Sequence, residues 1–227
     1  KCSLLALFLL AAFAASAGAR AQQTIALRVM TYNIHHGATA DGTLNLQDIA
    51  DVIRSHDVDI VGLQEVDHHW SARSEFVDQA RWLAERLDMH VFFAPILDYA
   101  PPEQGKPRRK YGLAILSAFP IRKATNFDIE RLPSVGESPR RQQMGGFPMA
   151  VLDVEGTRVR LFNTHLDYRS DPAVRRAQVK DMLAIVDDIE GPKILVGDLN
   201  ASPQDDELRP LWSSFVDVWD VRGARRG

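Results

Sequence analysis

The 227-residue chain carries 27 basic and 30 acidic residues, for a net charge of −3, with 45% hydrophobic and 25% charged side chains. This is an ordinary globular composition, which excludes a disordered, collagenous or fibrous chain, and the length is ample for one sizeable core. The acidic balance argues against tight non-specific binding to nucleic acid, although a local basic patch can act where net charge does not.

Lys1 precedes an apolar run from Leu4 to Ala15, followed by small residues ending Ala19-Arg20-Ala21. A basic start, a short apolar stretch and an A-x-A site predict a signal peptide over 1–21 and a mature chain over 22–227. The run is shorter than the roughly 20 residues that span a bilayer, and no second apolar segment suggests a transmembrane anchor. The protein is therefore expected to be exported, either periplasmic or secreted. Cys2 lies before the apolar run, whereas a lipidated cysteine would follow it. Cleavage removes Cys2, Lys1 and Arg20, leaving 25 basic residues (27 minus 2) against 30 acidic and no cysteine to form a disulfide.

Leu27 to Tyr32 predicts a strand. Leu46, Ile49, Ala50 and Ile53 fall on one helical face, and the apolar run DIVGLQEV from Asp59 suits a central strand. Phe76, Ala80, Leu83, Ala84 and Leu87 mark a second amphipathic helix. Strands follow at Val91-Phe92-Phe93 and Leu113 to Leu116. Two further strands, Met149 to Val154 and Val159 to Thr164, flank the turn Glu155-Gly156-Thr157 as a hairpin. Val179, Met182, Leu183 and Val186 mark a third helix, Ile194-Leu195-Val196 a buried strand, and Ser202-Pro203 the N-cap and first turn of a short helix. Segments 98–110 and 128–147, rich in Pro, Gly and Arg, read as surface loops. Alternating strands and helices with at least one hairpin predict an α/β fold: two mixed β-sheets packed as a sandwich, with helices outside.

Four polar clusters close apolar strands: Asn33-Ile34-His35-His36-Gly37, Gln64-Glu65, Asn163-Thr164-His165-Leu166-Asp167 and Gly197-Asp198-Leu199-Asn200. Ionisable groups at one rim of a buried sheet are costly to desolvate unless paired or bound to a cation. A hard cation would take the Glu65 carboxylate and the Asn33 amide oxygen, which is a Mg²⁺ or Ca²⁺ donor set. Zn²⁺ is disfavoured by the lack of a cysteine cluster or HExxH. His35 and His36, adjacent on an extended segment, would point to opposite sides and not share one ion.

The ordered set NIHHG, LQEVD, YGLAILS, NTHLD and GDLN, from about Leu27 to about Leu211, resembles the endonuclease/exonuclease/phosphatase superfamily, the deoxyribonuclease-I-like fold. The resemblance implies that Asn33 and Glu65 hold a divalent cation, Mg²⁺ or alternatively Mn²⁺ or Ca²⁺. It implies that His165 contacts the scissile phosphate. Asp198 and Asn200 would orient the attacking water and stabilise the transition state, and Tyr111 would lie near the phosphate. Such chemistry is self-consistent. A cation at Glu65 neutralises charge building on the phosphoryl oxygens, His165 and Asn200 add hydrogen-bond donors, and Asp198 accepts or aligns a proton. No Gly-x-Ser-x-Gly elbow suggests a covalent route.

The family pattern continues with an Arg/Lys-Ile-Asp-Tyr strand and a Ser-Asp-His motif, and neither occurs before Gly227. The expectation is a C-terminally truncated fragment that lacks the final strands and has little or no activity. The expected partner is a phosphoester substrate, whether lipid head group, small phosphoester or nucleic acid; no protein partner is implied. Two alternatives stand beside hydrolysis: a secreted nuclease using the basic loop 106–110, and a catalytically dead module that binds a phosphorylated ligand. Arg175, Arg176 and Gln178 read as a solvated helical face.

Overall fold

The computed structural model describes residues 25–133 and 140–223. The expected signal peptide over 1–21 lies outside them. In chain order the elements are β1 (Val29–Asn33), α1 (Leu46–Ser55), β2 (Ile60–His68), α2 (Gln79–Leu87), β3 (His90–Tyr99) and β4 (Arg109–Ser117). There follow β5 (Ile121–Arg131), β6 (Gln142–Val154), β7 (Thr157–His165), α3 (Ala173–Asp187), β8 (Lys193–Asp198) and α4 (Val218–Gly223).

The strands form two mixed four-stranded sheets, ordered β1-β2-β4-β3 and β5-β6-β7-β8. Each sheet has one parallel pair at an edge, β1 with β2 and β7 with β8, and is otherwise antiparallel. The parallel pairs follow from the connections: α1 links β1 to β2 and α3 links β7 to β8, because a parallel return needs a crossover.

Strand alternation sorts the core into layers. On β2, Ile60 faces the opposite sheet while Val61 and Leu63 face α1 and α2. On β7, Val159 and Leu161 face inward between the sheets, and Phe162 packs toward α3 against Val179 and Met182. The helices present the apolar faces that their periodicity predicts, and Asn45 and Asp78 cap α1 and α2 by accepting from the backbone N–H of Asp48 and Arg81.

Beneath one rim the sheets are joined by polar side chains. Asn163 on β7, fully buried, donates from Nδ2 to the carbonyls of Leu63 (2.9 Å) and Ala114 (3.0 Å), while its Oδ1 accepts from Gln64 Nε2 at 2.7 Å. Gly62 permits the close approach: a Cβ there would stand 2.4 Å from Val196 Cγ2 and 3.0 Å from Asn163 Cγ.

Three expectations are corrected. The described residues of segment 128–147 are largely strand, since β5 runs to Arg131 and β6 begins at Gln142; the polar and glycine residues there pair β5 with β6 in a stretch whose sequence lacks clean alternation. Ser202-Pro203 opens turns, and helical geometry appears only as a 3₁₀ segment at Arg209–Ser213. Phe76 is exposed, with φ +54, and precedes α2.

Asn163→Ala removes the side-chain donors to two buried carbonyls and the shortest of the three bonds made by Gln64 Nε2, which keeps Thr31 Oγ1 and the Gly62 carbonyl. The expected loss is about 2–3 kcal/mol, with a fall in melting temperature of roughly 5–10 °C, read by thermal unfolding followed by circular dichroism.

Candidate active site

Because β1 and β2 run parallel, as do β7 and β8, their C-terminal ends gather at one rim along the seam between the sheets. The sequence places a polar residue at each end. Asn33 closes β1, and His165 on β7 sits in register beside Asp198 on β8. Glu65 is delivered by an irregularity: between Leu63 and Val66 the β2–β4 register shifts, so Gln64 and Glu65 together face Leu113 alone. Glu65 takes φ +58 in this bulge, which re-aims its carboxylate from the strand's alternation into the cleft.

The side chains form one connected group. Asn33 Nδ2 donates to Glu65 Oε1 (2.9 Å) and to Asp198 Oδ2 (3.0 Å), bridging a carboxylate from each sheet. His165 Nε2 lies 3.7 Å from Asp198 Oδ2. Asp198 Oδ1 accepts the Asn200 backbone N–H at 3.1 Å, and Asn200 Nδ2 ties to the Leu166 carbonyl at 3.0 Å. All of these residues, with Tyr111, line one cleft of about 380 Å³. The structure thus brings together every one of the six residues singled out in the sequence: Asn33, Glu65, Tyr111, His165, Asp198 and Asn200.

Burial drives the His165 imidazole below its ordinary pKa, against the opposing pull of Asp198 and Glu65, so the ring is neutral at pH 7 and keeps one N–H to donate. Burial, reinforced by the Glu65 charge, pushes the Tyr111 phenol up, so it too stays protonated.

The sequence reading missed Arg131, because it lies in the segment read as a loop. Its guanidinium is buried and donates to three carbonyls, those of Gly145 (3.0 Å), Gly146 (2.8 Å) and His165 (3.1 Å). Burial lowers its pKa to about 10, which still leaves it charged at neutral pH. Gly146, at φ +118, makes the seat, since a Cβ there would meet the guanidinium at 2.6 Å. Arg131 therefore places a fixed positive charge in the cleft wall and holds the backbone of His165. Arg131→Met would take this donor from all three carbonyls and is expected to destabilise the fold by about 2–4 kcal/mol in urea unfolding; Arg131→Lys, without the planar fork, should recover only part of the loss.

The histidine pair corrects another expectation. His35 and His36 both take φ +47 in a tight turn, which abolishes strand alternation and brings their rings to 4.3 Å. With Glu65 they offer three ligand atoms within 4.8 Å of one another. This donor set fits a divalent ion, and the imidazoles widen the choice beyond oxygen-only cations such as Mg²⁺. As oriented, Asn33 turns Nδ2 to the carboxylates while its Oδ1 accepts from the His35 backbone N–H at 3.0 Å, so Asn33 would ligate through the second lone pair of that oxygen.

Other flanking residues are structural. Arg175, expected on a solvated face, is buried against Glu207, with Nη2 to Oε1 at 2.6 Å, and donates to the Asp167 carbonyl at 3.0 Å. Gln178 accepts from the Asp167 backbone N–H at 2.9 Å, and the Asp167 carboxylate pairs with Arg169. In the basic loop, Arg108 and Lys110 both pair with Asp98, and Arg109 Nε donates to the Ala100 carbonyl.

Two mixed four-stranded sheets with helices outside make this a deoxyribonuclease-I-like α/β sandwich. The chain belongs to the endonuclease/exonuclease/phosphatase family, whose model matches residues 30–223. Among solved structures it is similar to an endonuclease/exonuclease/phosphatase from Beutenbergia cavernae, with 27% identity and a TM-score of 0.61, covering 79% of this chain and 48% of that one. It shares its fold with sphingomyelinase C from Streptomyces griseocarneus (22% identity, TM-score 0.55, 84% of this chain and 70% of that one). The same holds for the human Nocturnin catalytic domain with bound sulfate (22% identity, TM-score 0.54, 83% and 70%). The chain spans about half the length of the Beutenbergia protein. No curated protein sequence matches it. Among the described residues no helix is long and apolar enough to cross a membrane.

Proposed function

We propose that the protein is a divalent-metal-dependent hydrolase of phosphoester bonds, a phosphodiesterase or phosphatase that works outside the cytoplasm. The observation that carries this reading is the convergence of Asn33 and Glu65 from one sheet with His165, Asp198 and Asn200 from the other, around a cleft walled by the buried Arg131 charge. An ion held by Glu65 and Asn33, with the neighbouring His36 ring as a further donor, would neutralise a phosphoryl oxygen and polarise phosphorus.

The chain's own groups supply the rest. Neutral His165 donates its N–H to a phosphoryl oxygen, and so does the N–H of the Asn200 amide left over from the Leu166 carbonyl. Asp198, fixed by Asn33 and the Asn200 backbone, aligns the attacking water and accepts its proton as the water oxygen bonds to phosphorus and the ester P–O bond breaks. Tyr111, kept protonated, offers a hydroxyl donor at the cleft wall. The substrate is taken to be a lipid head group or a small phosphoester. Asp98, which pairs with both Arg108 and Lys110, offsets one of the four positive charges that a nuclease reading assigns to loop 106–110.

The test is hydrolysis of bis(p-nitrophenyl) phosphate by a chain that lacks 1–21 and also carries the Ser-Asp-His motif the family pattern calls for, with Mg²⁺, Mn²⁺ or EDTA. Turnover is expected with metal and not with EDTA, falling at least about 10²-fold in both Glu65→Ala and His165→Ala. Absence of turnover on this ester, a monoester and DNA, with phosphate binding retained, would point instead to a binding module.

A further inference from the structure

A second group of metal-ligating side chains lies outside the cleft. β2 ends at His68, and His69 turns the chain with φ +51, so two adjacent histidines again share a side, with ring centroids 4.5 Å apart. The loop 69–77 then folds back. The His69 N–H donates to the Val77 carbonyl at 3.1 Å, and a β-bridge sets Asp78 opposite His68. His68, His69 and Asp78 each offer a ligand atom, all within 4.8 Å of one another and each half-buried. Tetrahedral donors around an ion at about 2.1 Å lie about 3.4 Å apart, so small side-chain rotations close the set.

Two details distinguish this group from a chance surface cluster. His68 Nδ1 is covered from solvent and makes no hydrogen bond, although Asp78 Oδ1 stands 3.2 Å away. The Asp78 carboxylate faces this covered nitrogen at ion-pair distance but out of line for a hydrogen bond, and a cation between the two would satisfy both. His69 Nδ1 contacts the Phe76 carbonyl at 2.7 Å; donating there fixes the tautomer and turns the Nε2 lone pair outward, the arrangement in which metal-bound histidines are held. Phe93, stacked on the His68 ring at 5.1 Å, covers one face and restrains its rotation.

We propose that His68, His69 and Asp78 form a binding site for a Zn²⁺-class transition-metal ion, separate from the cleft. Two imidazoles and one carboxylate suit such an ion over Mg²⁺ or Ca²⁺ and leave a fourth position for water. The ion would pin both ends of the loop 69–77. That loop carries Arg73, which pairs with buried Asp67 and lies 5.8 Å over the ring of Tyr111 in the cleft wall. The site would thus fix a support of the cleft without touching substrate.

The test is equilibrium dialysis of the 227-residue chain against micromolar Zn²⁺ at pH 7, in a Glu65→Gln/His36→Gln background that removes donors of the other group. One Zn²⁺ per chain should be retained, and its affinity should fall at least tenfold on adding His69→Gln or Asp78→Asn. Asn caps a helix as well as Asp does, so Asp78→Asn keeps α2 capped and decides the matter even if His69→Gln fails to fold. Zn²⁺ should also raise the melting temperature of the background protein and not that of its Asp78→Asn derivative. No retained Zn²⁺, or retention unchanged by Asp78→Asn, overturns the proposal. None of these readouts uses turnover, so they stand or fall apart from the hydrolase reading.

Discussion

The side-chain amide of Asn163 reaches from β7 into the facing sheet, and the geometry of the rim follows from that contact. Its two donors and one acceptor are all satisfied, by the Leu63 and Ala114 carbonyls and by Gln64. A buried amide is tolerated only in such a complete arrangement, and each partner is available in one register only. Apolar packing between the sheets would permit sliding; these bonds do not. They lie just before the β2 bulge, so Glu65 is set relative to His165 by a chain of contacts only a few residues long.

Above this contact the electrostatics pull the other way. Glu65 and Asp198 approach from opposite sheets, and the Asn33 amide separates them by donating to both. Two carboxylates so placed favour a cation, and the Arg131 guanidinium, spent on backbone carbonyls and unneutralised by a bonded carboxylate, favours an anion beside it. A site that favours both a cation and an anion is what the proposed metal-dependent phosphoester hydrolysis would need.

Much of this was legible in the chain, because strand ends are where a polar residue interrupts an apolar run. Asn33, Glu65, His165 and Asp198 announce themselves by that interruption, and the three amphipathic helices by their period. Arg131 was hidden because burial of an arginine depends on carbonyls 14 and 15 residues away on a neighbouring strand, in a segment whose glycines read as loop. Arg175 was misread for a similar reason: its partner Glu207 lies 32 residues on, beyond any helical spacing. The two histidine pairs turned on left-handed backbone at His35, His36 and His69, which no residue type there signals in advance.

The rim draws its donors from two sheets that each carry their own outer helices. Asn33 and Glu65 move with β1 and β2; His165, Asp198 and Asn200 move with the strand pair β7 and β8. Shear of one sheet past the other by a single residue step, roughly 3.3 Å, would part Asn33 from Asp198 while leaving every strand ladder intact. The cleft therefore reports on the alignment of two halves: the Asn163 bonds hold that alignment from below, and any ligand that spans the seam rivets the halves together from above.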